Sequence, residues 1–149
     1  MSFTTLTLTL LTTLFYLVLA DDYGSTIATA YSLGMNVGIS GYIDNGGDLD
    51  YFKVKLTIGR VYSFGMDSIS PVFDNYLILY DWNGAEVKRD DDAGPGLNAQ
   101  ITYTPTQTGD YYICAKGYQT DRYGSYVLGV SDTTACSTGC DSNFGRVFS

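Results

Sequence analysis

Beyond residue 20, hydrophobic and polar side chains alternate with a period of two along most of the chain. Phe52, Val54 and Leu56 fall on one side of an extended segment, while Tyr51, Lys53 and Lys55 fall on the other. This is the pattern of a half-buried β-strand. Tyr62, Phe64 and Met66 repeat it in residues 61–66. The two segments read as a strand pair joined by Thr57-Ile58-Gly59-Arg60, with Gly59 at the turn. Residues 75–80, NYLILY, are apolar throughout, as expected for a strand buried on both faces. Asp81-Trp82-Asn83-Gly84 then reads as a hairpin turn, because Asn-Gly tolerates the positive φ such turns need. Further strands are expected at 36–43, at 99–104 before Pro105, at 110–116 and at 123–131, with a polar loop around 119–122. Residues 25–33 fit either a short helical turn or extended chain. No segment keeps a helical period over three turns, and no internal repeat occurs. Seven or eight strands over about 115 residues predict an all-β, antiparallel sandwich.

The first 20 residues, MSFTTLTLTLLTTLFYLVLA, carry no charged side chain and end in Val18-Leu19-Ala20 before Asp21-Asp22. They read as a secretory signal peptide cut after Ala20, although the usual basic start is missing. The stretch is short for a membrane span and interrupted by Thr. The expected organisation is therefore a signal peptide at 1–20, a β-sandwich domain at 21–132 and a flexible tail at 133–149. Export places the cysteines in an oxidising compartment. Cys136 and Cys140 lie four apart in a Ser/Thr/Gly-rich segment and are expected to pair, whereas Cys114 reads as an unpaired strand residue.

Composition narrows the chemistry. The 149 residues contain no His, which excludes Ser/His/Asp and Cys/His catalysis and every His-ligated zinc site. The acids are fifteen Asp and one Glu, Glu86, and the formal net charge is −8. Such a surface is a poor partner for nucleic acid, which needs clustered Lys and Arg. An excess of Asp over Glu suits turns and hard-cation sites.

The order of motifs adds to this reading. Asp21-Asp22-Tyr23-Gly24-Ser25-Thr26 and Gly41-Tyr42-Ile43-Asp44 come first, then Gly47-Asp48-Leu49-Asp50-Tyr51-Phe52. Leu79-Tyr80-Asp81-Trp82-Asn83-Gly84 and Arg89-Asp90-Asp91-Asp92-Ala93-Gly94 follow. Gly109-Asp110-Tyr111-Tyr112-Ile113 and Gly124-Ser125-Tyr126 complete the series. Together, from about Asp21 to Asp132, they resemble the bacterial pre-peptidase C-terminal domain, an accessory module of secreted proteases related to collagenase collagen-binding domains. The resemblance implies a jelly-roll-like β-sandwich with calcium bound where the N-terminal segment meets a strand start. These 149 residues include no protease domain.

The acidic clusters fit that chemistry. Asp48 and Asp50 flank Leu49 before a strand, and residues two apart in extended chain project to the same side. Calcium takes six to eight oxygens, so Asp21 and Asp22 are candidate additional donors. Asp91 and Asp92, in the Asp90-Asp91-Asp92 run, are candidates for a second site, with a plain solvated loop as the alternative. Paired Asp residues alone do not make a glycosidase, which needs a sugar-binding cleft at set carboxyl separations. No enzyme activity is expected. Tyr42, Tyr51, Tyr112, Tyr118, Tyr123 and Trp82 are candidate exposed rings for stacking on carbohydrate or packing on a fibrous protein, or else ordinary sandwich residues. The expected function is a secreted, monomeric, calcium-binding, non-catalytic module for an extracellular macromolecule or surface. A collagen-like protein or a polysaccharide is the candidate partner. The alternative is a stand-alone remnant of a secreted protease that acts only in export or stability and has no specific ligand.

Overall fold

The computed structural model describes residues 21–71 and 73–134. The expected signal peptide and the expected Cys136–Cys140 disulfide lie outside the described residues. A single turn of 3-10 helix, Ile27–Thr29, is followed by nine strands. They are β1 (Tyr31–Ser32), β2 (Gly38–Ile43), β3 (Asp50–Leu56), β4 (Tyr62–Ser68) and β5 (Asn75–Tyr80), then β6 (Glu86–Asp90), β7 (Ala99–Tyr103), β8 (Gly109–Gly117) and β9 (Gly124–Asp132). One sheet has the order β1-β3-β8-β5-β6 and the other β2-β9-β4-β7.

The connectivity follows one rule. β2 pairs with β9, β3 with β8, β4 with β7 and β5 with β6, all antiparallel. The chain is thus one long hairpin with the β5–β6 turn at its tip, wrapped so that successive pairs alternate between sheets. This is a jelly roll. Wrapping lets each strand turn its apolar side inward, and Phe52, Leu56, Phe64, Met66, Leu77, Leu79, Ile113 and Leu128 meet in one core with 0–1% exposure.

The structure corrects the local reading at two places. β3 and β4 do not pair as a hairpin; Thr57–Arg60 carries the chain from one sheet to the other. Gly59 does make the turn, at φ 76°. The alternating pattern fixes which face of each strand is buried, and the two apolar faces meet across the sandwich instead of side by side. β5 is not buried on both faces either: Tyr76, Ile78 and Tyr80 are half-buried on its outer side. They pack among other outer-face rings, which is why the segment looks uniformly apolar. The hairpin expected at Asp81–Gly84 does form, and β6 is its second arm, a polar edge strand to which the sequence pattern assigns no bounds. It forms because the Asn83-Gly84 turn, with Gly84 at φ 78°, delivers it to the edge of β5.

Two polar features fasten the fold, one between the sheets and one within a sheet. Asn75 is fully buried; its Nδ2 donates to the Met66 carbonyl at 2.9 Å, and its Oδ1 accepts from the Ala99 amide at 2.8 Å. It thereby links β5 of one sheet to β4 and β7 of the other. Thr133 and Thr134, the start of the expected tail, hydrogen-bond both backbone groups of Val61. Cys114 lies in register with Tyr51 and Ile78 on the outer face of its sheet, yet it is 1% exposed and a free thiol. Tyr51 and Tyr80 stack with ring centroids 6.1 Å apart on the strands either side of it and roof it over. Burial pushes the thiol up to about 12.

Candidate metal centre

The N-terminal segment lies across the ends of both sheets. The Tyr23 ring packs on Phe52 at 4.6 Å and on Tyr31 at 5.3 Å, and its hydroxyl donates to the Ser40 carbonyl of β2 at 2.8 Å. The Tyr51 amide of β3 donates to the Gly24 carbonyl at 3.0 Å. Asp22 Oδ2 accepts from the Tyr42 amide of β2 at 2.9 Å. This anchoring brings Asp21 to the start of β3, where Asp48 and Asp50 lie. Asp21, Asp48 and Asp50 each offer a carboxylate oxygen within 4.8 Å of the others.

Their surroundings differ. Asp21 is exposed and accepts from the Ser25 hydroxyl at 2.8 Å. Asp48 closes the 44–48 turn by accepting from the Asp44 amide at 2.7 Å. Asp50 is fully buried. Its Oδ2 accepts a short 2.5 Å hydrogen bond from the Tyr126 hydroxyl, while its Oδ1 has no partner. Burial pushes the Asp50 carboxyl up to about 8 against the Tyr126 bond, and the nearby Asp22, Asp48 and Asp21 charges add to the rise. Asp22 and Asp48 are also raised, first by burial and then, against a backbone hydrogen bond each, by neighbouring carboxylates. No Lys or Arg forms an ion pair with any of the four among the described residues.

Tyr126 had no assigned role in the sequence reading, yet its signal was there. Gly41 and Tyr126 are in register on β2 and β9. A Cβ at Gly41 would sit 2.3 Å from the Tyr126 hydroxyl. Gly41 therefore leaves the space through which the phenol reaches Asp50, and two separate glycine-containing motifs serve one hydrogen bond.

Asp91 and Asp92 do not join this group. They lie in the loop between β6 and β7 beside Asp74, whose carboxyl is pushed up by burial and then by the Asp92 charge. Asp90, the first of the run, organises that loop by accepting from the Ala93 and Gln100 amides at 2.9 and 2.8 Å. Of the candidate rings, Tyr51, Tyr112 and Tyr118 come together on one sheet, whereas Tyr42 lies on β2, Tyr123 just before β9 and Trp82 against Tyr111 in the β5–β6 turn.

No family model matches the sequence, and no curated protein matches it. Among solved structures, the chain is similar to the pre-peptidase C-terminal domain of a collagenase from Bacillus anthracis. The TM-score is 0.55 and the identity 17%, over 68% of this chain and 93% of that one. It is also similar to a periplasmic inhibitor of g-type lysozyme, PliG from Aeromonas hydrophila. There the TM-score is 0.51 and the identity 14%, over 64% and 83% of the two chains. The fold expected from the motif order is the fold observed. No helix among the described residues is long and apolar enough to cross a membrane.

Proposed function

We propose that this chain is a secreted, non-catalytic β-sandwich module that binds calcium through Asp21, Asp22, Asp48 and Asp50 and serves to bind an extracellular macromolecule. One observation carries the metal reading: Asp50 is fully buried with an unpartnered carboxylate oxygen, and the charges around it are all negative. A buried charge without a partner is strongly unfavourable, so the carboxylate must take a proton or a cation. The donor set is all carboxylate oxygen, with no imidazole, thiolate or thioether. It suits a hard cation better than copper or zinc. Calcium would supply charge neutralisation and would fasten the N-terminal segment to the start of β3. The residues themselves do the positioning: Ser25 orients Asp21, the Asp44 amide orients Asp48 and Tyr126 orients Asp50.

The test is thermal unfolding with calcium and with chelator. A ligand that binds only the folded state adds about 2.7 kcal/mol at a hundredfold excess over Kd. For a domain of this size that corresponds to a rise in Tm of about 5–10 °C. Asp48→Asn and Asp50→Asn should each reduce the calcium-dependent rise, and Asp91→Asn should leave it intact. An equal rise in wild type and in the Asp48→Asn/Asp50→Asn double variant would remove this site.

A further inference from the structure

The outer face of the five-stranded sheet carries a second, separate arrangement. Register across β3, β8 and β5 sets out the rows Tyr51–Cys114–Ile78 and Lys53–Tyr112–Tyr80, and places Lys116 beside Tyr76. The Tyr118 ring extends the row from the β8–β9 loop, 44% exposed and 5.9 Å from Tyr76. Lys116 Nζ stands 5.6 Å from the Tyr76 ring centre. Five phenol rings thus share one face with three lysines, Lys53, Lys55 and Lys116.

The charge on this face runs against the rest of the molecule. The described residues hold seven Lys and Arg against fifteen acids. Four of the seven, Lys53, Lys55, Arg89 and Lys116, project from this one sheet face, whose strands turn two acids outward, Glu86 and Asp110, with Asp74 opposite Tyr118 just beyond the strand end. Arg89 is engaged by Glu86, and Asp110 is in register with Lys55. Lys53 and Lys116 have no ion-pair partner among the described residues. A module with a net charge of −8 therefore presents one locally cationic surface, and it is the surface paved with tyrosine.

We infer that this face binds an acidic polysaccharide, the sugar rings lying on the tyrosines and their anionic groups meeting Lys53 and Lys116. The inference deepens the proposed binding role and names its partner class. Sugars present apolar C–H faces that stack on aromatic rings, and the unpaired lysines attract anionic groups at contact distance, where salt screens the acidic residues more than a Debye length away. A sheet face has no free backbone edge, so it offers an incoming peptide no ladder to extend. Adjacent strands lie about 4.8 Å apart and alternate residues about 7 Å apart along a strand. The five rings therefore span a length of two or three sugar units, and no deep pocket is needed.

Native affinity electrophoresis in gels containing chondroitin sulfate, dextran or soluble collagen tests this. Chondroitin sulfate should retard the wild-type protein, and raising the salt to about 0.5 M should abolish the retardation. Dextran and collagen should not retard it. Lys53→Gln/Lys116→Gln and Tyr80→Ala/Tyr112→Ala should each weaken binding by about tenfold, and both should keep a cooperative thermal unfolding transition, which shows that they fold. Retardation by dextran or collagen instead, or retardation unchanged in either double variant, would overturn the inference. Absence of retardation with the calcium response intact would overturn it and leave the metal site standing. Retardation without a calcium response would do the reverse.

Discussion

Asp50 concentrates the chemistry of the molecule in one side chain. Strand alternation turns Asp50 inward, to Tyr126, and Tyr51 outward, to the aromatic face, so adjacent residues serve opposite sides of the sheet. The D-x-D spacing is legible in the sequence because it depends only on extended backbone. The orphaned oxygen is not, because burial of Asp50 depends on Tyr126, 76 residues away. A pH dependence follows for the metal-free protein. The folded-state pKa of Asp50 is about 8, while that of an unfolded Asp is about 3.9. Between these values the folded state holds more protons than the unfolded one, so the Asp50 contribution to stability is fully present below about pH 4. It falls as pH rises and is lost through pH 8. In chelator, urea unfolding should show wild type losing stability from pH 5 to 8 relative to Asp50→Asn, by up to about 1.4 kcal/mol per pH unit. Parallel profiles for the two proteins would show that Asp50 ionises freely.

Among the elements, β5 shows what local pattern leaves open. Its uniformly apolar sequence is explained by two different surfaces, Leu77 and Leu79 in the core and Tyr76, Ile78 and Tyr80 on the outer cluster. The boundaries of β3 and β5 through β9 were largely legible, because periodicity and Gly or Pro punctuation fixed them, except for β6, whose polar edge sequence carries no such signal. Partners were not legible. Alternation says which side of β3 is buried but not that β8, more than fifty residues later, lies beside it. Asn75, first residue of β5, is the element-scale device most sensitive to change. Asn75→Ala leaves the Ala99 amide and the Met66 carbonyl without their buried partner. Each orphaned group costs about 1–3 kcal/mol, so the urea midpoint should fall by the equivalent of roughly 2–5 kcal/mol, with calcium binding retained. A loss within about 0.5 kcal/mol, typical of a surface substitution, would show that water replaces the amide.

At the scale of the whole molecule, the wrapped hairpin leaves four strands at sheet edges: β1, β6, β2 and β7. An open edge is a template for another chain. β2 pairs only with β9 inside its sheet, and on its other side the Tyr42 amide is taken by Asp22 and the Ser40 carbonyl by Tyr23. The segment that brings Asp21 to the candidate metal centre is thus, through Asp22 and Tyr23, also the cover of this edge. On the proposed calcium reading, the ion would then govern self-association as well as folding stability. Concentrated protein in chelator should form larger species by light scattering as the cover loosens, and Asp22→Ala should do so faster. Calcium should suppress the process in wild type but only weakly in the variant. Scattering that is indifferent to both chelator and substitution would mean that β2 is guarded by something else. A sandwich of this kind would remain dispersed in a calcium-rich medium and become adhesive to its own copies when the medium is depleted, with one short peptide acting as the latch between the two conditions.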